Sequence, residues 1–169
     1  MTDKIADELT ERVLSKLGLS TRPTADMHGL RTIYGAWCRK VPFDNVRKLI
    51  HVRSENPGPL PGDDAEDFFE HWLRHGTGGT CWSGNGALHC LLSSLGFKSS
   101  RGVATMVVHA DAPPNHGTVV VDVNGARYSV DASMLFVEPL LLSAREETSS
   151  ASGAWSVRCR PHDRRWSIR

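Results

Sequence analysis

No stretch of this 169-residue chain is apolar for long enough to cross a bilayer. Its first residues do not read as a secretory leader either, because from Met1 to Leu17 charges alternate with Ile5, Leu9, Val13 and Leu17 at helical spacing. A cytoplasmic protein is the expectation, and in that compartment the four cysteines stay reduced. A formal net charge of +1 gives no general attraction to nucleic acid or to an anionic membrane, which leaves a small molecule or a protein as the expected partner. Arg158, Arg160, Arg164, Arg165 and Arg169 cluster near the end in the manner of a solvated strand face. Neither G-x-x-x-x-G-K-[ST] nor a G-x-G-x-x-G following a strand occurs, so neither phosphate-cradling loop is present. Metal is not indicated. His71 and His75 stand four apart, but Trp72 occupies the place where a zinc protease needs its glutamate, no third ligand is evident, and Cys38, Cys90 and Cys159 are too scattered for a zinc finger. Nothing in the sequence speaks to oligomeric state.

What is present is organised around Gly78 to Phe97, GGTCWSGNGALHCLLSSLGF. At about 100° per residue Leu88, Leu91, Leu92 and Leu95 share one helix face, and Cys81 and Asn85 extend that stripe toward the N-terminus. Gly78-Gly79-Thr80 allows a sharp turn into the helix, and Gly96 stands where a left-handed C-terminal cap is expected. A thiol at a helix start meets unpaired N–H groups and the positive end of the helix dipole, both of which favour thiolate chemistry. The same residues also fit a buried structural cysteine, since free cysteine is among the most buried residue types.

Upstream, the Ile5-Leu9-Val13-Leu17 stripe predicts a helix capped by Thr2 or Asp3 and stopped by Gly18. Thr24 is the expected cap of a second helix with Met27, Leu30, Tyr34 and Trp37 inward, ended by Pro42. Val41 to Val46 reads as an extended corner centred on Phe43, and Asn56 to Asp64 as an exposed loop. That loop supplies Asp63 or Asp64 to cap a helix through Phe68, Phe69, Trp72 and Leu73. Beyond Phe97 the period changes to two. Val103 to Val108 alternates as a strand, a polar loop follows at Asp111 to Asn115, and Asn124-Gly125 joins Thr118–Val123 to Ala126–Asp131 as a hairpin with a type I′ turn. Trp155 to Arg169 reads as a further hairpin broken off at its second strand.

A two-residue turn fixes the register: Val123 opposes Ala126, Val121 opposes Tyr128, Val119 opposes Val130, and Thr118 opposes Asp131. One face is then apolar. His116 and Asp131 become diagonal neighbours on the other, about 7–8 Å apart at the backbone and within reach of an imidazole–carboxylate hydrogen bond. A solvent-facing strand would carry polar residues too, and Asp122 opposite Arg127 reads as an ordinary cross-strand ion pair. A cysteine at a helix start together with an oriented histidine is, however, the constellation that nucleophilic thiol catalysis needs.

These residues resemble the arylamine N-acetyltransferase family, piece by piece and in the family's order. Val41-Pro42-Phe43-Asp44-Asn45 is similar to its V-P-F-E-N, Gly78-Gly79-Thr80-Cys81 to R-G-G-x-C, Asn85 through Leu95-Gly96-Phe97 to N-x-L…L-G-F, and Tyr128-Ser129-Val130-Asp131 to Y-x-V-D, over about Leu17 to Leu142. The resemblance implies an α+β fold, with a helical lobe (1–97) carrying the nucleophile and an antiparallel β-barrel lobe (98–169) that is incomplete at its C-terminal end, in a transglutaminase- or cysteine-protease-like layout. It implies a Cys81–His116–Asp131 triad, with Phe43, Trp82 and Met134 as acceptor-pocket residues. It also implies a ping-pong reaction in which acetyl-CoA acetylates Cys81 and an arylamine or hydrazine takes the acetyl group. No metal is implied.

The sequence departs from the family's pattern at three places. Thr77 replaces an arginine, Ser83 a glutamate, and Ala132-Ser133-Met134-Leu135 a V-G-F-G-like segment. Family members also continue into a third lobe that helps form the CoA cleft, so a chain ending at Arg169 is expected to be a truncated member with impaired use of CoA. A transglutaminase-like amidase or amide synthase using the same triad, and a non-catalytic pseudoenzyme, are the rival readings.

Overall fold

The computed structural model describes residues 3–54, 58–107, 112–160, 162 and 165–169. Among the described residues, helices α1 (Asp7–Leu17), α2 (Met27–Lys40), α3 (Val46–Arg53), α4 (Ala65–His75) and α5 (Cys81–Ser94) precede seven strands: β1 (Lys98–Ala104), β2 (His116–Val123), β3 (Ala126–Val130), β4 (Leu140–Leu141), β5 (Thr148–Ser149), β6 (Ser156–Cys159) and β7 (Trp166–Ile168). The class is α+β, as the sequence implied.

The amphipathic stripes become the core. Leu9, Val13 and Leu17 of α1 and Leu30, Tyr34 and Trp37 of α2 are buried, and Trp37 packs on Phe68 and Phe69 of α4 with ring centroids 6.1 Å apart in each case. α5 lies at the centre, buried all round from Ser83 to His89 and packed on β1 and β2. It ends as its glycine predicts: Gly96 takes φ +85°, and the Phe97 N–H returns to the Leu92 carbonyl at 3.0 Å.

Two caps differ from expectation. α1 starts at Asp7 with Ala6 in the N-cap position and no side-chain cap, its N-terminus instead carrying Asp7 and Glu8 in the first turn, where negative charge complements the helix dipole. Asp3 precedes the helix, and Thr2 lies outside the described residues. Asp26 rather than Thr24 caps α2, accepting from the Gly29 N–H at 2.8 Å, while Thr24 donates its hydroxyl to the Asp26 carboxylate at 2.6 Å. Asp64 caps α4 as expected, accepting from the Asp67 N–H at 2.9 Å. α3 has no counterpart in the sequence reading. Val46, Leu49 and Ile50 stand at helical spacing along it, but none of its residues is buried.

The first sheet has the antiparallel order β1-β2-β3-β4 and the second β5-β6-β7. The β2–β3 register is the expected one: Val119 pairs with Val130, Val121 with Tyr128 and Val123 with Ala126, around Asn124 and Gly125 at φ 51° and 79°. β1 begins earlier than Val103 and leaves the sheet after Ala104. It is an edge strand with Val103 exposed, and of the strand expected over Val103 to Val108 only Val103 and Ala104 belong to it, Val108 lying outside the described residues. Asp122 lies opposite Arg127 but is paired with Lys98 at 3.5 Å, and the Arg127 guanidinium sits 4.6 Å from the Trp166 ring centroid, so the expected cross-strand ion pair is not made. Among the described residues the strands make two separate sheets and no closed barrel is seen. Closure needs a partner on every edge, whereas β1 pairs only with β2 and the two-residue strands β4 and β5 belong to separately hydrogen-bonded sheets.

Candidate active site

The loop entering α5 is pinned by the corner around Phe43. The Gly78 N–H donates to Asp44 Oδ2 at 2.7 Å, the Asp44 N–H donates to the Gly79 carbonyl at 3.1 Å, and Phe43 and Gly79 form a parallel bridge. Close approach, not an unusual backbone angle, demands glycine here: a Cβ on Gly78 would stand 1.7 Å from the Pro42 carbonyl oxygen, and the positive-φ glycines do not include it. Thr80 takes the N-cap position without a side-chain cap, so the first-turn N–H groups around Cys81 keep their donors unspent on the protein's own cap. Cys81 itself is half-buried.

β2 meets this turn directly. A Cβ on Gly117 would lie 2.9 Å from Trp82 Cε3 and 3.5 Å from the Cys81 carbonyl oxygen, so glycine at 117 lets the strand that begins at His116 lie against the start of α5. His116 is 6% exposed and Asp131 2%, and Nε2 of the one stands 2.8 Å from Oδ2 of the other. The pair that the hairpin register implied is made.

Asp131 is held on its other side as well. Its Oδ1 accepts from the Ser133 N–H at 2.9 Å, the Ser133 hydroxyl at 2.8 Å, the Met134 N–H at 3.0 Å and Asn85 Nδ2 at 3.3 Å. Burial acts most strongly and opposes the charge, but the hydrogen bonds from His116, Met134 and Ser133 together outweigh it and hold the carboxyl at about 2. An ionised carboxylate only accepts, so the neutral imidazole carries its proton on Nε2 and presents a lone pair at Nδ1.

Two further residues were legible only as inward-facing. Asn85, one turn after Cys81, donates to the Gly117 carbonyl at 2.6 Å and accepts from the Ala132 N–H at 2.9 Å, joining the cysteine's helix to both the histidine strand and the aspartate turn. Tyr34 reaches the same turn from α2, its hydroxyl 3.0 Å from the Asp131 carbonyl. An amide on the inward stripe of α5 and a hydroxyl on an apolar stripe of α2 were the signals.

Of the three expected pocket residues, Phe43 is 53% and Trp82 43% exposed, both beside the start of α5, while Met134 is partly buried and bonds Asp131 through its backbone. Thr77, at the family's arginine position, has a buried hydroxyl without a partner. Ser83, at the glutamate position, donates to the Thr80 carbonyl at 3.2 Å. His71 and His75 face each other on the outside of α4 with ring centroids 5.8 Å apart, away from the pair. Burial raises the thiols of Cys38 and Cys90.

A family model described as N-acetyltransferase matches residues 26–169. An arylamine N-acetyltransferase of Mycolicibacterium smegmatis is 34% identical over 125 residues, covering 70% of this chain and 43% of that protein. Among solved structures, the M. smegmatis arylamine N-acetyl transferase matches with a TM-score of 0.74 and 28% identity, over 92% of this chain and 58% of that one. The Salmonella typhimurium arylamine N-acetyltransferase matches in fold with a TM-score of 0.71 at 21% identity, over 97% of this chain and 62% of that one. The chain thus spans less than half of the curated relative and less than two thirds of either solved structure.

Proposed function

The chain belongs to the arylamine N-acetyltransferase family, and on that premise we propose that it transfers an acetyl group from acetyl-CoA to an aromatic amine or hydrazine through an acetyl-cysteine at Cys81. The observation that carries the reading is the buried 2.8 Å hydrogen bond between His116 and Asp131 on a strand packed against the start of the cysteine's helix.

In the first half-reaction His116 Nδ1 takes the thiol proton as the Cys81 sulfur bonds to the thioester carbonyl carbon. The bond from that carbon to the CoA sulfur then breaks, and the imidazolium returns the proton to the departing CoA thiolate. In the second, the amine nitrogen attacks the acetyl-cysteine carbonyl and gives its proton to Nδ1. The carbon–Sγ bond breaks and Cys81 recovers its proton. Asp131, ionised well below neutral pH, fixes the tautomer with the lone pair on Nδ1 and stabilises the imidazolium in both halves. The exposed faces of Phe43 and Trp82, with Met134, line the acceptor's approach.

Intact-mass spectrometry after mixing with acetyl-CoA tests this. One added acetyl group, absent from Cys81→Ala and removed by an arylamine, is the expected result; an unmodified mass, or an acetyl group that maps elsewhere, would refute it.

A further inference from the structure

The turn after Asp131 passes through two non-glycine residues in the left-handed region, Leu135 at φ 51° and Val137 at φ 71°. Side-chain crowding disfavours that region for leucine and more so for a β-branched valine, so the turn persists only if its surroundings over-determine it. The Leu135 N–H closes the turn on the Asp131 carbonyl at 3.1 Å and Asn85 holds its Ala132 N–H, and α2 supplies a further fastening. The Tyr34 hydroxyl donates to the Asp131 carbonyl at 3.0 Å and accepts from the N–H groups of Asp131 at 3.1 Å and Phe136 at 2.9 Å. These three contacts engage the phenol's donor and both its lone pairs, and the Cys38 thiol, one turn further along α2, faces the same hydroxyl. The Tyr34 side chain is fully buried, and that burial pushes the phenol well above its usual range, so the donor is not lost.

We propose that Tyr34 is a positioning residue for Asp131: its hydroxyl clamps both ends of a strained turn, and so keeps the Asp131 carboxylate on His116. The ring could fill its space in the core without an oxygen. The hydroxyl is what ties α2 to the backbone of the aspartate and of the residue five positions later. The inference rests on the Cys81–His116–Asp131 reading of the site.

Tyr34→Phe removes the oxygen and keeps the ring. Alkylation of Cys81 by iodoacetamide, followed against pH, is expected to slow about three- to tenfold at neutral pH, the scale of losing buried hydrogen bonds, with its rise displaced to higher pH. In an Asp131→Asn background the same substitution should change nothing further, because its effect passes through the carboxylate. Adding Leu135→Gly to Tyr34→Phe should recover part of the rate, since a relaxed turn needs less holding. Phe69→Leu, a core change on α4, should lower the melting temperature and leave the pH profile in place. A parental profile for Tyr34→Phe beside a displaced one for Asp131→Asn would overturn the role of Tyr34 and spare the triad, as would additive effects of the two. A parental profile for Asp131→Asn would sink the triad and this inference with it. If Tyr34→Phe does not fold, hydrogen exchange of the unsubstituted chain decides: the Asp131 and Phe136 amides must be among the slowly exchanging ones, and fast exchange at either overturns the clamp.

Discussion

Asn85 Nδ2 lies 2.6 Å from the Gly117 carbonyl and 3.3 Å from Asp131 Oδ1, so a single side chain bonds the neighbour of the histidine and the carboxylate that orients it. It does so from the helix that begins with Cys81. The three parts of the proposed triad come from one helix and one hairpin, and Asn85 is where these meet.

Asn85→Ala should therefore cost stability and chemistry together. It leaves the Ala132 N–H and the Gly117 carbonyl unpaired in a buried site, which predicts a loss of about 1–3 kcal/mol in urea unfolding. A matching fall in Cys81 acylation by p-nitrophenyl acetate is expected. Unchanged unfolding would mean that the amide is replaced by solvent at no cost.

Cys81 should be the thiol that labels first at neutral pH. Burial raises Cys38 and Cys90, which makes both poorer nucleophiles there, and Cys81 stands at an uncapped helix start. Competitive labelling with peptide mapping checks the order, and faster labelling of Cys38, Cys90 or Cys159 would remove Cys81 from its role.

The low Asp131 pKa makes a signed statement about acid stability. With its folded value near 2 and an unfolded value near the ordinary 3.8, the unfolded chain binds more protons between these pH values. Stability from this group is thus fully present above about pH 4 and is lost as pH falls through about 2. The difference corresponds to roughly 2 kcal/mol. The stability gap between the parent and Asp131→Asn, measured by urea unfolding, should shrink by about that amount from pH 5 to pH 2; a constant gap would contradict the assignment.

Two glycines should respond differently to alanine. At Gly78 the new Cβ meets a backbone carbonyl at 1.7 Å, whereas at Gly117 it meets the ring of half-exposed Trp82 at 2.9 Å. A ring at the surface can turn aside and a backbone cannot. Gly117→Ala is expected to cost about 1–3 kcal/mol and to displace Trp82, seen as a change in tryptophan emission. Gly78→Ala should cost more, with melting temperatures giving the ranking.

Much of this site was legible because it is local. The register that brings His116 to Asp131 depends on a two-residue turn, and the start and end of α5 on glycines flanking a leucine stripe. What escaped depends on contacts that a one-dimensional pattern does not encode. α3 is eight residues long and buries none of them, so its Val46-Leu49-Ile50 spacing is too short a pattern to separate from the extended corner that precedes it. Thr24 and Asp26 are both capping residues, and which of them caps is decided by geometry at Gly29. The polar work of Asn85 and Tyr34 lies in partners 32 to 102 positions away, so each registered only as inward-facing. Whether the strands close into a barrel depends on which edges find partners, a question of the same long-range kind.

The Asn124-Gly125 turn acts as a ruler. Because side chains alternate along a strand, one residue inserted between His116 and Asp131 would carry them to opposite faces wherever the strands re-paired around a two-residue turn, and only a longer loop that absorbs the extra residue would keep the register. Among natural variants of this chain, length changes at the tip should therefore be purged, be absorbed in a longer loop or come in compensating pairs. Changes between Ala112 and Pro114, ahead of the strand and of the Asn115 bonds to Ala104 and Met106, leave the spacing from His116 to Asp131 as it is and should accumulate freely.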